Sequence, residues 1–183
     1  IMAGLVGSEM CIRDRGATKL LSSEETSAEQ TLSGVTSFDS DGFAVGSDAG
    51  SNNNTTTFAS WNWKAGTTSG ISGSPSITPS AYSLNQTAGF SIISYTGNAS
   101  VGATIPHGLG VAPAVIIFKN RDSSVKWVVY HHKAATSSPE DVHLQLNDTT
   151  AVSNDDSILN DTAPSSTLIT MKTSSAVNSN SVK

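Results

Sequence analysis

Ala114-Val115-Ile116-Ile117-Phe118-Lys119 is the stretch that decides the fold class of this chain. Its consecutive apolar, largely β-branched residues predict a central strand with both faces buried. The polar run 120–124 predicts a turn, and Val125-Lys126-Trp127-Val128-Val129-Tyr130-His131 then returns as the antiparallel partner. The centre of the chain is therefore predicted to be a β-hairpin.

Short strand patterns continue on both sides of this hairpin. They lie at residues 43–45, 57–63, 89–96, 104–105, 142–146 and 167–171. Val142, Leu144 and Leu146 share one face of their strand, and the capping-like residues 22–29 lack the apolar stripe of a helix. The pattern predicts an all-β chain, namely an antiparallel β-sandwich or jelly roll.

Composition excludes several classes of function. The formal net charge is −5, whereas a nucleic-acid-binding protein needs a basic face. No apolar run approaches the roughly 20 residues that span a bilayer, so membrane insertion is not expected. The sequence contains neither a G-x-S-x-G elbow nor a phosphate-binding loop, and we expect no enzyme activity and no cofactor.

The first fifteen residues have a separate explanation. Leu5-Val6-Gly7-Ser8-Glu9-Met10-Cys11-Ile12-Arg13-Asp14-Arg15 resembles the translation of a transposase adapter used in sequencing libraries. We therefore expect residues 1–15 to be an adapter-derived, disordered artefact, and we assign no role to Cys11. The alternative is a genuine N-terminal segment, but glycines and a glutamate interrupt the apolar core that a signal peptide requires.

The remainder of the chain shows weak internal similarity. Residues 19–28 and 143–151 each combine a short apolar strand with an acidic, threonine-bearing turn that ends in alanine, about 125 residues apart. The predicted organisation is the C-terminal half of one β repeat (16–66), a Ser/Thr/Gly/Pro linker (67–87) and the next repeat, truncated at its C-terminus (88–183).

His107-Gly108-Leu109-Gly110-Val111-Ala112-Pro113 is the sharpest local motif. Its two glycines permit backbone conformations with positive φ, and Pro113 fixes the entry to the following strand. We favour a structural turn in which His107 caps backbone groups. A ligand or metal role for His107 is the alternative, but no partner cluster is visible nearby in the sequence.

Two further groups of residues are candidate binding sites. Asp39 and Asp41 belong to a D-x-D-G fragment of the kind found in calcium loops, and a turn between two strands is the alternative. Trp127 and Tyr130, with His131 beside them, are candidate ligand contacts, because exposed aromatic rings can stack on sugars. Burial of such rings in the core is the more common outcome, and it is also what we expect of Trp61 and Trp63.

The ordered set of segments resembles a known repeat family. The segments are F-D-S-D-G-F (38–43), W-N-W-K-A-G (61–66), A-G-F-S-I-I-S-Y-T-G (88–97), H-G-L-G-V-A-P (107–113) and K-N-R with W-V-V-Y-H (119–131). They are similar to repeats in tail-fibre and virion-associated proteins of marine bacteriophages, which look like lectin-type β-sandwich modules. The resemblance implies a concanavalin-like sandwich, here truncated at both ends, that serves as a structural, adhesive module on the virion surface.

Such a module would contact a host-surface glycan or receptor and would act as a homo-oligomer in a fibre. Two alternatives remain open at this point. One is a glycan-degrading depolymerase domain, which needs only two suitably spaced carboxylates, and the other is a structural spacer that binds nothing.

Overall fold

Short strands form nearly all of the regular structure. The computed structural model describes residues 5–6, 16–63 and 66–183, and in these ranges the one helical element is a single 3₁₀ turn, η1 (Pro139–Asp141). The strands are β1 (Leu5–Val6), β2 (Lys19–Leu20), β3 (Gln30–Thr31), β4 (Val35–Phe38), β5 (Phe43–Val45), β6 (Trp61–Asn62), β7 (Ala81–Asn85), β8 (Phe90–Ser94), β9 (Ala103–Pro106), β10 (Val115–Phe118), β11 (Val128–His131), β12 (Val142–Gln145), β13 (Ser153–Asn154) and β14 (Leu168–Met171). The all-β class is confirmed.

The strands pair mostly as antiparallel neighbours. The largest sheet has the order β10-β11-β12-β13, and β2–β3, β4–β5, β7–β8 and β9–β14 form two-stranded antiparallel sheets. The predicted hairpin is present as β10–β11, with Ile116 opposite Tyr130 and Phe118 opposite Val128. β1 pairs with β6 in parallel. The multiple antiparallel sheets are consistent with a β-sandwich.

The core lies between the β10–β11 side of the largest sheet and the β9–β14 pair. Its apolar residues are Ile77, Ala103, Ile105, Phe118, Val128, Tyr130, Ile158, Leu159, Ile169, Met171 and Val177. Tyr95 and Ile116 pack against this cluster from its edge. This core therefore brings together strands that are distant in the chain, such as β9 and β14.

β10 is an edge strand and not the central strand that its apolar run predicts. It stands at the end of the four-stranded sheet, and the side chains of Val115 and Ile117 are exposed while Phe118 is buried. Val129 lies opposite Ile117, and Leu144 lies opposite Val129, along the same outer face. The apolar character of β10 therefore reflects one buried face and one apolar outer face.

The apolar side chains of β12 face outward, unlike those of an ordinary amphipathic strand. Leu144 and Leu146, on the apolar face predicted from the alternation, are exposed, and it is His143 that points into the protein and is buried. Together with Val115, Ile117 and Val129, these leucines make an apolar outer face on the largest sheet.

Three regions differ from the sequence-based expectation. The predicted linker 67–87 contains β7, which pairs with β8, and its Ile77 is buried in the core because the segment packs beside β9. The expected strand 57–63 is reduced to β6. Leu5 and Val6, which belong to the segment expected to be disordered, form β1, while Met10, Cys11 and Arg13 lie outside the described residues.

Candidate functional site

Three large aromatic side chains lie exposed within six residues. Phe58, Trp61 and Trp63 keep 44%, 47% and 45% of their surfaces accessible, and we call them the aromatic segment. The expectation that Trp61 and Trp63 are core residues is therefore wrong. Trp61 lies in the two-residue strand β6 and Trp63 directly follows it, and no described element covers either ring completely.

The aromatic segment is anchored at its C-terminal end. The Trp63 ring stacks on Phe90 of β8, with ring centroids 6.2 Å apart and an interplanar angle of 15°. Just downstream, Thr67 and Leu84 form a β-bridge, in which each backbone N–H donates to the other residue's carbonyl at 2.9 Å. The stacked pair and the bridge hold Trp63 against the β7–β8 hairpin, so part of its ring is presented to solvent in a defined position.

Trp127, a predicted ligand contact, is a core residue. It is buried, and its indole N–H donates to the Ser22 carbonyl at 2.9 Å. The Lys119 amino group lies 5.8 Å from the ring centroid and donates to the carbonyls of Thr26 and Val125 at 2.8 Å each. Burial lowers the pKa of Lys119. Trp127 thus joins residues 22–26 to the main sheet and leaves no face for a ligand.

Tyr130 and His131 do not form a binding surface either. Tyr130 is buried in the core, and this burial, assisted by the carboxylate of Glu140, raises its pKa. His131 is half-buried, and its Nδ1 accepts the Lys133 N–H at 3.1 Å within the turn that ends β11. Its ring also contacts that of His132, with centroids 5.2 Å apart.

His107 sits in a tight, buried turn. Its Nδ1 accepts the Leu109 N–H at 3.3 Å, so Nε2 carries the proton and donates to the Ser165 carbonyl at 3.2 Å. Burial lowers the pKa of His107, and the hydrogen bond to Ser165 opposes that shift. Gly108 and Gly110 follow at φ +71° and +75°, and Pro113 is buried. One ring nitrogen therefore closes the turn itself, and the other holds the end of β9 against the loop before β14.

The Asp39–Asp41 segment is the turn of the β4–β5 hairpin. Both carboxylates are exposed, and the Asp39 N–H donates to the Gly42 carbonyl at 2.9 Å. The rings of Phe38 and Phe43 contact each other across the hairpin, with centroids 6.3 Å apart. Across the described residues, no group of three or more His, Cys, Asp or Glu side chains is placed to hold a metal ion.

His143 is the other buried histidine among the described residues. Its ring is buried in β12, and in the described part of the chain Nδ1 has no hydrogen-bond partner. Burial lowers its pKa, against the attraction of the Asp155 carboxylate. The neutral imidazole is therefore the form that the fold accommodates.

The molecule is thus an all-β module of several small antiparallel sheets, with exposed aromatic rings on one short segment. Residues 9–182 match the family described as Domain of unknown function (DUF7483), and the chain belongs to that family. The match includes residues 9–15 of the adapter-like stretch. No curated protein and no solved structure matches the chain. Over the described residues, the structure has no helix with the length and apolar character needed to cross a bilayer.

Proposed function

We propose that the chain is an adhesive structural module of a virion tail fibre or a comparable surface fibre, and that it contacts saccharide through the aromatic segment. The observation that carries this proposal is the exposure of Phe58, Trp61 and Trp63, while Trp127 and Tyr130 are buried. Three exposed aromatic rings within six residues are unusual on a protein surface without a partner.

The chemistry of the aromatic segment suits sugars better than charged or apolar partners. An indole ring offers a flat apolar surface to the C–H face of a pyranose, and its N–H offers a donor to a hydroxyl group. The surrounding residues supply further neutral hydrogen-bonding groups: Asn62 donates to Ser60 Oγ at 3.2 Å, and asparagines and threonines fill residues 52–57. A neutral glycan fits this set.

The proposal is tested by affinity electrophoresis of the protein through gels containing soluble polysaccharides from candidate host cells. We expect retardation by at least one neutral polysaccharide. Trp61→Ala and Trp63→Ala should each weaken binding about 10- to 30-fold, since truncating a central interface tryptophan costs roughly 2 kcal/mol.

Val111→Ala is the matched control, because Val111 is an exposed apolar residue remote in sequence from the aromatic segment. Retardation that is equal in the parent protein, both tryptophan variants and the control would contradict a site at the aromatic segment. A complete lack of retardation in every polysaccharide favours the structural spacer instead.

A homo-oligomeric fibre is the state we propose for the module. The outer face of the largest sheet carries exposed Val115, Ile117 and Leu144 beside the open edge of β10. Such an edge favours pairing with another chain. Ile117→Lys should lower the association state in sedimentation velocity and leave the circular dichroism spectrum unchanged, and equal sedimentation of variant and parent would place the contact elsewhere.

Glycan cleavage is a second candidate, favoured by one observation. The exposed Asp161 carboxyl is hydrogen-bonded to that of Asp141, and desolvation with the charges of Asp141 and Asp156 raises the pKa of Asp161. Release of reducing ends from a bound polysaccharide, lost in Asp161→Asn, would establish it. Binding without release leaves adhesion as the function.

A further inference from the structure

Two parts of the chain carry the same asparagine-centred turn. Asn52 Nδ2 donates to the Gly46 carbonyl at 2.7 Å, and Asn178 Nδ2 donates to the Lys172 carbonyl, also at 2.7 Å. The acceptor lies six residues before the asparagine in both cases. Each asparagine N–H also donates to the carbonyl four residues earlier, at 2.8 Å for Asn52 and 2.9 Å for Asn178.

The segments upstream of these turns repeat as well. In both parts, two backbone N–H groups beside the turn donate to two consecutive carbonyls of an upstream segment. The pairs are Gly46 to Gly34 (2.8 Å) and Asp48 to Ser33 (3.4 Å) in the first part, and Lys172 to Ile158 (3.1 Å) and Ser174 to Ser157 (3.2 Å) in the second.

The preceding hairpins share one register. β2 pairs with β3 through Lys19–Thr31 and Leu20–Gln30, and β12 pairs with β13 through Val142–Asn154 and His143–Ser153. Each position of the first hairpin recurs 123 residues later, since 19 corresponds to 142 and 31 to 154. At the asparagines the separation is 126 residues, from 52 to 178.

We infer that residues 18–52 and 141–178 are two copies of one structural unit. The first copy presents an open socket, formed by the edge of β5 away from β4 and by the Asn52 turn, for an extended segment with the chemistry of residues 97–107. The second copy supplies the reason, because there the same socket is filled by residues 97–107 of this chain.

In the filled socket, contacts at β9, at Asn178 and at His107 hold the segment in place. β9 pairs with β14, with Ile105 opposite Ile169. Asn178 Oδ1 accepts the N–H groups of Asn98 and Ala99 at 2.9 and 3.3 Å, and its Nδ2 donates to the Ser100 carbonyl at 3.0 Å. At the other end, the His107 N–H and ring bind the carbonyls of the loop before β14.

The first copy lacks this cover among the described residues. β5, which corresponds to β14, belongs to a sheet of only two strands, so its edge away from β4 carries no described strand. Val45 is 40% exposed where Met171 of the second copy is 0% exposed, and Asn52 is exposed where Asn178 is fully buried. The same turn has therefore formed without the segment that buries it.

The socket selects its occupant in three ways. A glycine is required where Gly97 stands, because a Cβ there would come within 2.2 Å of the Ser179 carbonyl oxygen. Apolar residues are required at the positions of Ala103 and Ile105, which face the core from β9. A histidine fits the far end, where Asp39 takes the place of Ser165 and adds a carboxylate that favours an imidazolium.

The test is a titration of the isotope-labelled full chain with a synthetic peptide of residues 95–108, followed by amide chemical shifts. We expect saturable changes that centre on residues 39–52. Asn52→Ala should weaken peptide binding at least tenfold, because it removes the groups that hold the peptide turn. Asn54→Ala is the matched control, an exposed asparagine of the same loop, and should bind as the parent does.

A second measurement raises the effective concentration of the peptide. The same segment, attached ahead of Gly16 through a flexible linker, meets the socket at roughly millimolar concentration. It should raise the Tm of the parent chain and not that of Asn52→Ala, and a tethered segment with Gly97→Val should have no effect.

Three results would overturn the inference: no saturable shifts together with no gain in Tm, shifts centred on β14 and Asn178, or equal binding by the Asn52 and Asn54 variants. None of these outcomes depends on saccharide binding, so the socket and the proposed adhesive function succeed or fail separately.

Discussion

Gly108 occupies a position that only glycine fits, because two constraints coincide there. Its φ is +71°, and a Cβ would lie 2.4 Å from Leu84 Cδ2. The close approach lets the His107 turn pack directly on β7. Backbone conformation and packing therefore explain the motif around His107. Its imidazole is hydrogen-bonded to the loop before β14 and holds the end of β9 beside that loop.

We predict that Gly108→Ala lowers the free energy of unfolding by roughly 2–4 kcal/mol, the sum of the left-handed backbone penalty and overpacking against Leu84. Gly102→Ala separates the two causes, since Gly102 has φ +76° but no atom within 4 Å of the position that a Cβ would take. It should cost only about 1–2 kcal/mol. Urea denaturation measures both, and equal losses would show that Leu84 gives way freely.

Trp127 and Trp61 have opposite roles, although both are aromatic residues of strand-like segments. Trp127→Phe removes an indole N–H that is bonded to the Ser22 carbonyl, and it leaves a gap in the core. We predict a loss of about 2 kcal/mol or more in the free energy of unfolding. Trp61→Phe should change it by less than about 0.5 kcal/mol. Thermal unfolding that ranks the two variants the other way would contradict the assigned burial.

Among the strands, the exposed or buried state of each one is set by its neighbours. β10 and β12 have apolar side chains on the outer face of the largest sheet, while β9 and β14 bury theirs between layers. β7 exists as a strand because β8 folds back on it over a short turn, in which the Ala88 N–H donates to Asn85 Oδ1 at 3.0 Å. Composition alone predicts a linker for this segment.

Asn178 joins three elements through four hydrogen bonds, and its side chain is completely buried. We predict that Asn178→Ala lowers the free energy of unfolding by about 3 kcal/mol or more, because buried backbone N–H and C=O groups lose their partners. Asn52→Ala breaks the corresponding bond to Gly46 in an exposed loop and should cost less than about 1 kcal/mol. Chemical denaturation of the two variants gives a direct comparison, and equal costs would argue against the buried network.

For the molecule as a whole, acid should destabilise the fold. Burial lowers the pKa of both His107 and His143 below the ordinary value of 6.5. Below that value the unfolded chain therefore binds more protons than the folded one, so the stabilisation present above pH 6.5 is lost as pH falls toward the folded-state pKa values. The lowered pKa of Asp155 extends the loss to more acidic pH.

The corresponding measurement is the Tm between pH 7.5 and pH 5. We predict a continuous decrease in the parent chain. His143→Leu removes one of the two rings whose pKa is lowered by burial and should make the Tm less dependent on pH over this interval. A Tm that is flat or rises toward pH 5 in the parent would show that the two histidines accept protons freely in the folded state.

The all-β class and the central hairpin of β10 and β11 follow from the amino-acid sequence without any knowledge of the fold. The physical reason is local, because β-branched and apolar runs separated by polar turns favour extended backbone wherever they are placed. The turn at His107 is indicated in the same way by two glycines, whose backbone freedom is a property of the residue itself. The sequence similarity between residues 19–28 and 143–151 lies within the two segments, 18–52 and 141–178, whose backbone hydrogen bonds correspond.

Which aromatic residues face solvent depends instead on tertiary contacts. Trp61 and Trp127 occur in similar strand-like sequences, and a strand pattern does not say which neighbours will cover each face. Trp127 is buried because residues 22–26 fold across it, about 100 positions away in sequence, whereas Trp61 lies on a two-residue strand that leaves it exposed. Because burial arises from these long-range contacts, the rings available to a ligand are those of the aromatic segment and not Trp127 and Tyr130.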